Sequence, residues 1–284
     1  MAAYSTQAHR ALIAQAAHAL AAGKHLHCGS DCAGYHRGWM LLQHLGLISG
    51  LSSERGFIVE AIRGLARQRP LRAVLIAGCA DFGLLSVLHE ALGDATQQVR
   101  VIVRDRCETP LALCRSYAQA MGFEIHTERQ DLVSAPANGA HDLVLMHSLL
   151  SFCAPAERGD LLARLASQLG KAGTLLAYQS IRPAPAATPL AYDDDEVSSM
   201  VMRAVLEGDP EIDAAQITRF VQAFCQAKKT MSVPSIASVV ADAETRGLML
   251  LACRLLFDSA SSSHRAATPA SHHLKYEFRF ATAA

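Results

Sequence analysis

The 284-residue sequence has no excess of charge: 26 Lys and Arg face 26 Asp and Glu, for a formal net charge of zero. No window clusters basic residues with interleaved aromatics, so neither nucleic acid nor an anionic membrane surface is indicated as a partner. The chain also lacks an uninterrupted apolar run of about eighteen residues, so no membrane span is expected. Its Ala-rich start, residues 2–24, is broken by His9, Arg10, Gln15 and His18. With no basic region ahead of a continuous apolar one, that stretch reads as an amphipathic helix and not as a signal, and the expected location is the cytoplasm.

Paired cysteines are missing too. The eight cysteines (Cys28, Cys32, Cys79, Cys107, Cys114, Cys153, Cys225 and Cys253) include no C-x-x-C, which fits reduced thiols better than a disulfide framework. His25, His27, Cys28, Cys32 and His36 form a local group with metal-ligand chemistry. No second ligand pair at finger-like spacing follows, so the segment is read as a helix-turn-helix stretch that holds His and small residues, and no metal is expected.

What is present is a globular sequence, 51% hydrophobic, long enough for one large domain or a domain plus a cap. Residues 5–22 and 34–46 carry helical periodicity, with Ser5 as N-cap and Gly23 and Gly46 as stops, and a third helix at 53–68 ends before Pro70. Residues 1–70 therefore read as a helical cap. Beyond Pro70, apolar strands at 72–77, 99–104, 124–128, 142–147 and 174–181 alternate with helices at 83–92, 110–121 and 155–169, the pattern of βαβ units.

A Pro/Ala connector, RPAPAATP at 182–189, leads to helices near 193–206, 213–228 and 234–246. The acids Asp193, Asp194 and Asp195 suit a helix N-terminus better than a metal. Strands at 248–257 and 273–281 close the chain, joined by a stretch of loop composition that is expected to be mobile. The expected architecture is α/β: a seven-stranded, doubly wound, mostly parallel sheet ending in an antiparallel hairpin, in a domain of residues 71–284. A helical lid would come from residues 1–70 and an insertion at 186–246.

Chemistry concentrates at 72–83, RAVLIAGCADFG, where an apolar strand stops at a glycine turn and restarts as a helix. The next strand, in VRVIVRDRCETPL at 99–111, ends on Asp105. One turn then approaches a ligand while the following strand end offers a carboxylate to a ribose. A dinucleotide enzyme would offer the same elements, although this turn is poor in glycine. Asp81 has two readings, as cap of the helix near Gly83 or as ligand contact.

With Gln130-Asp131-Leu132 after the third strand, residues 142–148 (DLVLMHS) as the fourth and LGKAGTLLAY at 169–178 as a glycine turn into the fifth, the chain from about residue 70 resembles class I S-adenosylmethionine-dependent methyltransferases. It departs from that family's G-x-G-x-G, reading Gly78, Ala80 and Phe82 with Gly83 displaced by one. The resemblance implies S-adenosylmethionine as cofactor, with Gly78 and Ala80 leaving room for its methionine end, Asp81 nearby, and Asp105 accepting from its ribose. Arg106 and Cys107 would border the adenine, Asp131 and Leu132 would cap its other edge, and His147 and Ser148 would stand under the sulfonium. It further implies methyl transfer to an O or N nucleophile of a small molecule, secondary metabolism being one setting for such chemistry.

A base is required only for a protonated nucleophile, and His147, His36, Tyr35 and Tyr178 are the candidates. Tyr35, Trp39 and Gln43 share one helical face at i, i+4, i+8, either as a substrate-facing surface with cation–π character or as core packing. Two other readings stay open. One is an intramolecular cyclase that converts the cofactor to azetidine-2-carboxylate and methylthioadenosine; the other is a binding module without catalysis. A homodimer through the N-terminal helices is one arrangement open to the chain.

Overall fold

The computed structural model describes residues 6–137, 139–183, 189–258 and 274–283. The Ser5 cap, most of the Pro/Ala connector and the loop between the last two strands lie outside the described residues. Three helices open the chain: α1 (Thr6–Ala21), α2 (Ser30–His44) and α3 (Arg55–Gln68). Then come β1 (Ala73–Ala77), α4 (Gly83–Leu92), β2 (Arg100–Asp105), α5 (Glu108–Met121), β3 (His126–Arg129), β4 (His141–His147), α6 (Arg158–Ala166) and β5 (Leu169–Ile181). Past the connector lie β6 (Pro189–Leu190), α7 (Asp194–Glu207), α8 (Ala214–Ala227), β7 (Thr230–Met231), α9 (Ile236–Glu244), β8 (Leu248–Asp258) and β9 (Leu274–Thr282).

The main sheet runs β3-β2-β1-β4-β5-β9-β8. Its first five strands are parallel, and β9 inserts antiparallel between β5 and β8. This is the expected doubly wound sheet with an antiparallel end. The strand order reverses between β1 and β4, the point beyond whose carboxyl ends such sheets generally bind ligands. Each central strand is apolar on both faces, as a sheet covered on both sides requires. Val74, Ile76, Leu143, Leu145 and Leu176 face α3, α4 and α5, whereas Leu75, Val144, Met146 and Leu175 face α6 and α9.

The helical parts divide differently from the sequence pattern. Ile58, Val59, Ile62 and Leu65 of α3 belong to the sheet's own core, and Val239 and Ala243 of α9 pack with α6 on the opposite face. The cap is narrower, with a separate core built from Leu41 and Leu42 of α2, Ala204 of α7 and Ile217, Val221 and Phe224 of α8. Helices α2 and α8 approach closely at Gly34 and Gly38, where a Cβ on Gly38 would come within 2.2 Å of Phe224 Cβ. Asp193 caps α7 by accepting from Glu196 N at 2.8 Å, with Asp194 and Asp195 in the first turn, so this triplet serves the helix terminus.

Two further details differ from the sequence reading. The 169–173 glycine turn is the start of β5 itself, where the register with β4 shifts between His141 and Leu143. Gly173 makes that irregularity possible, since a Cβ there would lie 2.7 Å from His141 O. The helix expected at 155–169 begins with a single 3-10 turn at Pro155–Glu157 and ends at Ala166, where β5 takes over.

Candidate functional site

The turn after β1 is held open by its backbone. Gly78 has φ +71°, a conformation that costs a glycine nothing, and a Cβ there would also lie 2.8 Å from Leu149 Cδ1. Asp105, half-buried at the end of β2, supports the turn: its Oδ2 accepts from Cys79 N at 2.9 Å and its Oδ1 from Cys107 N at 2.7 Å. Burial pushes the Asp105 carboxyl up, against those two donors. Each oxygen keeps a further lone pair for another donor.

Asp81 is bound within the protein. Its Oδ1 accepts from Gly83 N, while its Oδ2 accepts from Trp39 Nε1 at 2.6 Å and Gln43 Nε2 at 2.7 Å. The polar groups of Trp39 and Gln43 thus latch α2 onto the turn, which is why they are not free to meet a substrate. Tyr35 stacks on Trp39 with ring centroids 6.0 Å apart and tilts against Phe224 at 5.5 Å, the packing alternative for this face. Tyr35 also meets the exposed Phe152 edge-on at 6.2 Å. His36 is buried with Nδ1 3.2 Å from Ala80 O.

At the end of β4 lies a network that the sequence reading found only in part. His147 Nε2 is 2.6 Å from Glu54 Oε2, and Lys275 Nζ is 3.3 Å from the same oxygen. Lys275 also donates to Ser148 Oγ at 2.8 Å. Glu54 and Lys275 are buried, at 4% and 2% exposure, so their charges depend on one another for compensation. Burial raises the Glu54 carboxyl, but His147 and Lys275 outweigh it and bring the group below its ordinary value. Burial and then Lys275 push the His147 imidazole down, against Glu54. A neutral ring facing a carboxylate donates Nε2–H to it, leaving the Nδ1 lone pair as a base. Ser148 holds φ +54°, a left-handed conformation unusual for a serine and common where a site is built.

The remaining expected residues differ in their surroundings. Asp131 is exposed and accepts from Val133 N at 2.8 Å, Leu132 is buried in the sheet core, and Arg106 is exposed. Tyr178 is fully buried and donates to Glu277 Oε2 at 2.9 Å; burial and then Glu277 push its phenol up, so it belongs to the core and not to the bases. Glu54 and Lys275 gave no signal in sequence, since a lone acid before a helix and a lysine on a late strand are ordinary surface patterns.

The local Cys/His group gains a member from elsewhere in the chain. Cys28, Cys32, His36 and Cys107 each bring a ligand atom to within 4.8 Å of the others. His25 and His27, the other members of the local group, are exposed.

Solved structures share this fold. An S-adenosylmethionine-dependent methyltransferase from Clostridium acetobutylicum matches with a TM-score of 0.51 at 12% identity, over 82% of this chain and 92% of that one. The chain has the class I methyltransferase fold. Within that fold, a mitomycin 7-O-methyltransferase matches with a TM-score of 0.50 at 14% identity, over 87% of this chain and 57% of that one. Another methyltransferase, solved in its apo form, gives 0.50 at 16% identity over 87% and 59%. No family model matches the sequence, and no curated protein does. In doubly wound sheets ligands generally bind beyond the carboxyl ends of the strands at the reversal point, which here falls at β1 and β4, near Asp105, the Gly78 turn and His147.

Proposed function

We propose that the protein is an S-adenosylmethionine-dependent methyltransferase acting on an O or N nucleophile of a small molecule. The observation that carries this reading is Asp105: a half-buried carboxylate at the end of β2, fixed by two backbone amides, with one lone pair per oxygen left for two vicinal hydroxyls. Those residues fit the ribose of the cofactor, and Gly78 in the turn beside them adds no side chain of its own. Leu149 is the side chain that has to turn aside for a ligand to reach Gly78, and as a leucine tip it can do so at low cost.

The cofactor would supply an electrophilic methyl on its sulfonium. The protein's part is then alignment, exclusion of water and disposal of a proton. His147 is the group for the proton, with Nδ1 as base and Glu54 orienting the ring and stabilising the charge it acquires. Burial, and then Lys275, keep the ring neutral beforehand, and Lys275 also holds Ser148. Tyr35 of α2 and Phe152, just after β4, meet edge-on.

The test is product analysis of the purified protein with S-adenosylmethionine, with and without a panel of phenols, alcohols and amines. S-adenosylhomocysteine formed only with an acceptor supports the proposal. Methylthioadenosine formed from the cofactor alone would replace it with intramolecular cyclisation. Absence of any calorimetric affinity for the cofactor or S-adenosylhomocysteine would replace it with a non-catalytic module.

A further inference from the structure

Three of the clustered ligands come from one short segment. Cys28 directly precedes Gly29, the N-cap of α2, and Cys32 and His36 follow at steps of four residues, so the two helical members share a face. The fourth, Cys107, is the N-cap of α5, two positions beyond Asp105. Helix periodicity alone cannot recruit Cys107 from a different part of the chain; the fold does. We propose that Cys28, Cys32, His36 and Cys107 form a zinc site that clamps the cap onto the rim of the sheet.

The donor set is that of structural zinc: three thiolates and one imidazole in four-coordinate geometry. A Zn–S bond of about 2.3 Å places tetrahedral sulfurs about 3.8 Å apart. Cys32 Sγ and Cys107 Sγ are already 3.4 Å apart, and no pair of ligand atoms in the set is separated by more than 4.8 Å. Closing on an ion therefore requires movements of about 1 Å or less. The imidazole is already suitably oriented. With Nδ1–H donating to Ala80 O at 3.2 Å, Nε2 keeps its lone pair, the arrangement in which metal-bound histidines are held. Thr109 Oγ1 lies 3.1 Å from Cys28 Sγ, within reach to donate to a metal-bound sulfur. Cys28 and Cys32 are partly exposed while His36 and Cys107 are buried, which leaves an entry path on one side.

The site joins α2, whose Trp39 and Gln43 already grip Asp81, to the loop that presents Asp105. Binding the ion would fix the cap at two points, one polar and one metallic. The proposal does not depend on the methyltransferase reading, because its readout is metal content and not turnover.

The experiment uses the full-length protein, purified in reductant, stripped with a chelator and titrated with Zn²⁺ in competition with a chromophoric chelator, with Co²⁺ as spectroscopic probe. The proposal expects one equivalent of zinc, sulfur-to-cobalt charge transfer with the strong visible bands of tetrahedral Co²⁺, and a higher melting temperature with zinc. Cys107→Ser and Cys28→Ser should each lose the tight equivalent and the zinc-dependent rise in melting temperature. Cys253→Ser, on exposed β8, should keep both. Cys28→Ser, at a partly exposed position, keeps the test valid if Cys107→Ser fails to fold. No stoichiometric uptake, uptake that survives both ligand variants, or a Cys32–Cys107 disulfide in the reductant-free protein with no metal binding after reduction would each overturn the assignment.

Discussion

His147 Nε2 and Glu54 Oε2 are 2.6 Å apart across the end of β4 and the start of α3, in a site that Lys275 also enters. The pair sets a pH dependence. Burial and Lys275 hold the imidazole below its ordinary 6.5, so a reaction that needs the neutral ring should lose rate only at pH values below that.

Glu54→Gln should move the acid limb further down. The carboxylate favours the imidazolium, so its removal makes protonation harder and lowers the ring's pKa. The same variant should reduce kcat by about ten- to a hundredfold, because the ring loses the partner that orients it. pH–rate profiles of the two proteins check this, and a limb that stays put or moves up would remove His147 and Glu54 as a base pair.

Gly38→Ala tests the cap. An alanine gains about 1 kcal/mol of helix propensity, but its methyl would sit 2.2 Å from Phe224 Cβ and 2.7 Å from Phe220 O. Overpacking of that kind costs about 1–3 kcal/mol, and backbone cannot give way as a side-chain tip can. The clash wins, so denaturant midpoints should fall. Gly56→Ala, on the exposed side of α3 where a Cβ would meet nothing within 4 Å, is the control and should hold or slightly raise the midpoint.

Asp209 joins the cap to α1. Its Oδ2 lies 3.0 Å from His18 Nε2 and 2.7 Å from His44 Nε2. Burial raises this carboxyl, but the two histidines outweigh burial and take it from 3.8 to about 2. A folded-state value below the unfolded one adds stability above the unfolded pKa and loses it as pH falls through the folded one. The contribution should therefore persist down to about pH 4 and vanish between there and about pH 2. Asp209→Asn should lose about 1–3 kcal/mol at neutral pH and flatten this part of the stability–pH curve, read by chemical denaturation.

Much of the frame was legible in the chain. Short apolar runs bounded by turn signals, such as AVLIA and LVLM, fit strands buried on both faces, and their alternation with amphipathic helices fits parallel crossovers. The Gly78 turn and Asp105 were legible for a similar reason, since both sit at strand ends where local pattern and position coincide. Partners brought together by the fold were not. Glu54, His147 and Lys275 come from three distant elements, and so does the addition of Cys107 to the local Cys/His group. Trp39 and Gln43 were placed on the correct face of α2, but periodicity cannot tell a face turned to a ligand from one that grips Asp81. The α3 and α9 helices read as cap because amphipathic stripes do not say which core they join.

Asp105 and the Gly78 turn are the proposed seat of the cofactor, and the functional reading stands or falls with them. Titration of the protein with S-adenosylhomocysteine in a calorimeter tests this without knowledge of the acceptor. One equivalent should bind to the wild-type protein, and Asp105→Ala should weaken binding by about a hundredfold, the loss of two hydrogen bonds to a charged group. No heat with the wild-type protein, or equal affinity in Asp105→Ala, would contradict it.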